Sequence, residues 1–181
     1  MGLFLWFLLR TFEDAPSRTT KEIYLENGTA PHVTKPKEHI IIMSTIDKNG
    51  FLNVDTVENT ILTNNDYKLE VITAILNSKL IGWYAYRYIF SKAVRTMDFD
   101  DYYIGKIPIP SINKTDETEI ISYVEKIQTD IIQLHKLDNK RTDEYNQIEK
   151  NIEYINGKID EIIFRIYGLS DQEIKHITNE T

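Results

Sequence analysis

Apolar positions in the last third of the chain recur in steps of four and three. Ile120, Val124, Ile127, Ile131 and Leu134 form one run, and Tyr145, Ile148, Ile152, Ile155, Ile159, Ile162 and Ile166 a second. A repeat of three and a half residues lays one stripe along one side of a helix, the pattern of a coiled-coil seam. The two runs stay in heptad phase across the gap between them. The intervening seam positions are Asp138 and Arg141, however, inside the wholly polar stretch Asp138 to Glu144. Burying both unpaired would cost a few kcal/mol. Thr142 offers a cap for a new helix, with Asp143 and Glu144 suited to its first turn. The pattern therefore favours a break and an antiparallel helical hairpin over one continuous helix. Gly168 ends the second helix, and Ser170 with Glu173 forms a capping box for a short third one.

Upstream the pattern changes. Lys21–Leu25 reads as a short strand closed by the turn signal Asn27-Gly28. Ile40, Ile41, Ile42 and Met43 stand in a row within Glu38 to Ser44, as in a strand buried on both faces. Asp47-Lys48-Asn49-Gly50 marks a turn. Phe51 to Leu62 alternates as one or two further strands. Asn64, Asn65 and Asp66 cap a helix over Tyr67 to Ile89, whose apolar residues Leu69, Ile72, Ile75, Leu76, Leu80 and Trp83 keep helical spacing. Ser91 to Tyr103 has little periodicity, and Ile107-Pro108-Ile109-Pro110 forces an extended segment.

Composition is that of a folded chain: 181 residues, 41% hydrophobic, 27% charged, with 7 Gly and 5 Pro. No cysteine is present, which excludes disulfides and thiolate metal sites and fits a reducing cytoplasm. The net charge of −7 is unevenly spread. Residues 1–114 carry 13 basic and 13 acidic side chains, and residues 115–181 carry 8 and 15, so the whole acidic excess lies on the helical arm. The apolar start Met1 to Leu9 is too short to span a bilayer and has no basic residue before it. It reads as a buried strand or helix rather than a signal peptide.

The chain has no GxGxxG, phosphate-binding loop, HExxH or cysteine nucleophile. His32, His39, His135 and His176 lack ligand spacing, so no metal and no cofactor is expected. Asp98, Asp100 and Asp101 form an acidic group that reads better as a solvated turn than as a nuclease centre. Between Trp83 and Tyr103 the residues Tyr84, Tyr86, Arg87, Tyr88, Phe90, Lys92, Arg95, Tyr102 and Tyr103 interleave cations with aromatics. Cations neutralise phosphates, arginine can bridge two acceptors on a guanine edge, and tyrosine donates to backbone oxygens. An aromatic-rich helix end also suits a core, and that reading stands beside the first. Lys35, Lys37, Lys48 and Asn49 form a second polar set on turns.

The order of three motifs narrows this further. Ile75-Leu76-Asn77-Ser78-Lys79-Leu80 is followed by Ile107-Pro108-Ile109-Pro110, then by an amphipathic helix, then by Lys158 to Ile174 with its Phe164-Arg165-Ile166-Tyr167-Gly168-Leu169-Ser170. Over roughly Asn53 to Ile177 this resembles the C-terminal end of adenine-specific DNA methyltransferases of the restriction–modification type. Those include fused type II enzymes with a TaqI-like specificity domain. Type I specificity subunits resemble the plan more loosely. The Asn-Pro-Pro-Tyr type catalytic motif of such enzymes is missing here. The resemblance implies a recognition part without a catalytic one, with double-stranded DNA and a methyltransferase or restriction catalytic domain or subunit as partners.

Together these readings predict an α+β protein. A small mixed β-sheet recognition domain with one long helix occupies residues 1–112, and a coiled-coil-like antiparallel hairpin occupies 113–181. Lys37, Lys48, Asn49, Arg87, Lys92 and Arg95 are the expected DNA contacts. Ile148, Ile152, Ile155 and Ile159 are the expected partner-binding seam. The chain is expected to be non-catalytic by itself, cytoplasmic, and not membrane-bound. The competing expectation is a coiled-coil scaffold that dimerises through the seam and has no affinity for DNA.

Overall fold

A computed structural model describes residues 22–26, 40–47, 57–62, 66–92, 101–137 and 142–180. Three strands of five residues each form an antiparallel sheet: β1 (Glu22–Glu26) at the centre, β2 (Met43–Asp47) on one side and β3 (Val57–Ile61) on the other. Tyr24 lies opposite Thr45 in one ladder and opposite Asn59 in the other. Ile40 and Ile42 are buried just ahead of β2 while Ile41 between them is 37% exposed, so this run has one buried face, not two.

Helix dominates the rest. α1 (Leu69–Asn77), α2 (Lys79–Tyr84) and a π-helix (Ala85–Ile89) follow the sheet; then come α3 (Asp101–Ile104), α4 (Lys114–Lys136), α5 (Asp143–Ile166) and α6 (Asp171–Glu180). The expected mixed-sheet domain is thereby corrected. Among the described residues, seven helical segments face three short strands, and every strand pair is antiparallel. The reason lies in where apolar area sits. β2, Met-Ser-Thr-Ile-Asp, gives the core Ile46, whereas α1 buries Leu69, Val71, Ile72, Ala74, Ile75 and Leu76.

The single long helix expected over Tyr67 to Ile89 is also corrected: it breaks at Ser78. That residue adopts an extended backbone (φ −71°, ψ 152°), and its hydroxyl donates to the Ile75 carbonyl and accepts from the Ile81 N–H. It thus closes one helix and caps the next, a role the short hydroxyl side chain fills well. The π-helix ends with the Phe90 N–H on the Ala85 carbonyl and the Lys92 N–H on that of Tyr86.

α4 and α5 pack along each other, with the Asn151 amide donating to Asp130. Thr142 caps α5 by accepting from the Tyr145 N–H, and Asn113 caps α4 by accepting from the N–H groups of Thr115 and Asp116. Gly168, at φ 71°, ends α5 with Leu169 N–H on the Phe164 carbonyl and Gly168 N–H on that of Arg165. The hydroxyl and N–H of Ser170 both donate to Glu173 at the start of α6. These bonds hold the Glu173 carboxyl below its ordinary pKa.

The apolar seam of the hairpin has two fates. At its far end Leu134, Tyr145 and Ile152 form a small cluster, flanked by Ile127, Ile131, Leu137 and Ile148. At its near end Ile155, Ile159, Ile162, Ile163 and Phe164 join Ile120, Val124, the α1–α2 residues and Ile40, Ile42 and Ile46 in one hydrophobic core. That core crosses the boundary expected between residues 112 and 113. Ile155 and Ile163 are 1% and 0% exposed, and a buried isoleucine contributes about 1.5–3 kcal/mol through removal from water. No described helix is long and apolar enough to cross a membrane.

Candidate nucleic-acid interface

The Leu76–Gly82 segment sets the position of everything that follows it. Asn77 turns its side-chain amide to Ser44 on β2: its Oδ1 accepts from the Ser44 N–H at 2.7 Å and hydroxyl at 2.9 Å, while its Nδ2 donates to the Ser44 carbonyl at 2.9 Å. The amide thereby copies a strand's hydrogen bonding and ties α1 to the sheet. Gly82 sits against Ile40. The Ile40 N–H donates to the Gly82 carbonyl, and a Cβ at residue 82 would lie 2.2 Å from the Ile40 carbonyl oxygen. From the other side, Asp160 on α5 accepts from the Lys79 N–H at 3.0 Å, with the Lys79 ammonium 3.7 Å away. Burial pushes the Asp160 carboxyl above its ordinary pKa, partly opposed by the Lys79 N–H and charge.

Held this way, α2 and the π-helix carry a ledge of rings and cations. The Arg87 guanidinium lies 5.0 Å from the centre of the half-buried Trp83 ring, within the range at which a ring face attracts a cation. Trp83 meets Tyr88 edge-on at 5.9 Å, and Tyr88 meets Tyr84 at 5.3 Å. Beyond Phe90 the chain passes through Ser91 and Lys92, both with left-handed backbone and both exposed. Phe90 packs on Tyr103 at 4.7 Å, which joins this turn to α3. There the Lys106 ammonium sits 3.7 Å from the centre of the Tyr102 ring and 5.1 Å from that of Tyr103. Tyr88 and Tyr102 are 65% and 68% exposed. Large exposed rings beside cations suit stacking on bases and contact with phosphates. A π-helix followed by strained backbone is a combination found often at functional sites.

Of the residues expected to touch DNA, Arg87 stands beside Trp83 on this ledge, and Lys92 lies exposed two residues beyond Phe90. Lys37, Lys48, Asn49 and Arg95 lie outside the described residues, as do the side chains of Asp98, Asp100 and Asp101 and the apolar start Met1 to Leu9. Lys106 was missed. It stands in the turn after α3, where its N–H donates to the Tyr103 carbonyl, and no helical periodicity marks that position. Ile152, Ile155 and Ile159 are 2%, 1% and 5% exposed, and Ile148 is half-buried in the far cluster. Within the single chain these residues form an internal joint, packed against α4 and α2. Among the described residues no three His, Asp or Glu side chains are grouped to hold a metal ion.

The motifs that carry the resemblance all prove to be joints between elements. Asn77, Ser78, Lys79 and Gly82 tie the sheet and α5 to α2. The Tyr167 hydroxyl donates to the Pro108 carbonyl at 2.7 Å, and burial raises the tyrosine's pKa. Arg165 pairs with the buried carboxylate of Asp116, which also accepts from the Asn113 amide.

No curated protein and no solved structure matches the chain. A family model, that of the TaqI-like C-terminal specificity domain, matches residues 11–109, a span that includes the sheet, α1, α2, the π-helix and α3. The match covers more than half of the 181 residues, and the chain belongs to the TaqI-like C-terminal specificity domain family.

Proposed function

We propose that the chain recognises a DNA sequence as the specificity part of a restriction–modification adenine methyltransferase and carries out no chemistry by itself. The observation that carries this reading is the ledge of Trp83, Arg87, Tyr88, Lys92, Tyr102 and Lys106, which lies within a span matching a specificity domain. Lys92 and Lys106 neutralise backbone phosphates there, Arg87 offers two parallel donors to a base edge, and the exposed tyrosines pack on sugar or base. Lys37, Lys48, Asn49 and Arg95 extend this contact set. The partners are double-stranded DNA and a methyltransferase or restriction catalytic domain or subunit. The acidic excess of residues 115–181 supports a division in which the arm faces protein rather than DNA.

The competing scaffold would need the seam to pair two copies. Ile152, Ile155 and Ile159 are already buried within one chain, so nothing favours that reading.

Selection from a pool of randomised duplex DNA tests the proposal. The full chain should enrich one short sequence over successive rounds, and the Arg87→Ala variant should enrich it less. A pool that stays random, although the chain is folded, would overturn the assignment.

A further inference from the structure

Resting on the DNA-reading function proposed above, we infer that Asp160 is a positioning residue: by binding the first backbone N–H of α2, it fixes where the aromatic–basic ledge sits. The side chain lies on α5, outside the span that matches the specificity domain. Its neighbours Ile159, Ile162 and Ile163 serve the core by apolar burial alone. Asp160 is 6% exposed, and a requirement for core packing would be met as well by an apolar residue. The carboxylate instead accepts from the N–H of Lys79 and lies 3.7 Å from the ammonium of the same residue.

That donor is well chosen. α2 has six residues and runs without interruption into the five-residue π-helix, so a shift at Lys79 carries through to Trp83, Arg87 and Tyr88. Ser78 and Gly82 pin α2 on the side of α1 and the sheet. Asp160 pins it from the helical arm, and α6 adds an edge contact between His176 and the Trp83 ring at 6.0 Å. The arm is in this way part of the reading surface without touching DNA.

Trp83 reports the outcome directly, since the chain has 2 tryptophans and Trp6→Phe removes the other. In that background, Asp160→Leu should shift the Trp83 emission and weaken affinity for duplex DNA on the order of tenfold, comparable to the effect of one lost hydrogen bond. Asp160→Asn keeps an oxygen in place to accept the same bond and should match the parent in both measurements. Lys79→Pro breaks the bond from the other side and serves if Asp160→Leu does not fold. Proline fits the first helical position, and Ser78 before it already has the extended backbone that proline requires. It too should shift the emission and lower affinity. Parent-like emission and affinity in Asp160→Leu or Lys79→Pro would overturn the inference, as would an Asp160→Asn variant as impaired as Asp160→Leu. If the parent binds no duplex DNA, the proposed function fails, and the Trp83 emission alone then decides the positioning role.

Discussion

At Ser91 and Lys92 two consecutive residues have φ of 51° and 61°, and neither is glycine. A side chain in this region crowds the neighbouring carbonyl and costs about 1–2 kcal/mol per residue. Glycine would end the π-helix more cheaply at either position. Lys92→Gly should raise stability in urea by about 0.5–1 kcal/mol yet lower DNA affinity. Ser91→Gly should raise stability without that loss. Equal DNA affinity for the two variants would remove Lys92 from the interface. Gly82 answers to the opposite constraint: Gly82→Ala places a methyl against the Ile40 carbonyl and should destabilise by about 1–3 kcal/mol in the same assay. At this scale the sequence was half legible. Interleaved cations and rings marked Arg87 and Lys92, but nothing marks a lysine for positive φ, because the usual sign of that backbone is glycine.

Among the elements, helix ends were the easiest features to read. Thr142, Gly168 and the Ser170–Glu173 pair each carry a local hydrogen-bonding reason to stop or start a helix, and each does so here. The break at Ser78 was hidden because Leu76 and Leu80 keep helical spacing across it. Besides the local bonds of Ser78, the distant partners Ser44 and Asp160 hold the residues on either side of the break. The sheet was over-read for a related reason: alternation in Phe51–Leu62 signals strand type but not how much of the core the helices supply. The Asp160 contact makes a pH prediction. Its pKa is raised on folding, so its contribution to stability is full below the ordinary aspartate value and is lost as pH rises through the folded one. Asp160→Asn, neutral throughout, should therefore be at least as stable as the parent at neutral pH, with the parent gaining on it as the solution is acidified. Urea unfolding of both proteins across that range checks the sign.

For the whole molecule, the apolar stripe was plain in the sequence, while its destination was not. A heptad pattern states that a helix has an apolar side and leaves open whether another chain or the same one covers it. Here Ile155, Ile159 and Ile162, with the neighbouring Ile163, go into the core that also holds α1 and α2. Ile163→Ala should thus cost about 2–5 kcal/mol, with Trp83 fluorescence and helical circular dichroism falling together in a single transition. A helical signal that survives loss of the Trp83 signal would mean that arm and ledge fold separately. The central claim is that the ledge borne by this core binds DNA through its cations. It is tested most directly by duplex affinity measured from about 50 to about 200 mM salt, for the full chain and for the Arg87→Ala, Lys92→Ala, Lys106→Ala triple variant. The account predicts an affinity that falls steeply with salt in the parent and a slope shallower by about two to three in the variant. Identical slopes, or a parent chain with no affinity at the lowest salt, would contradict it.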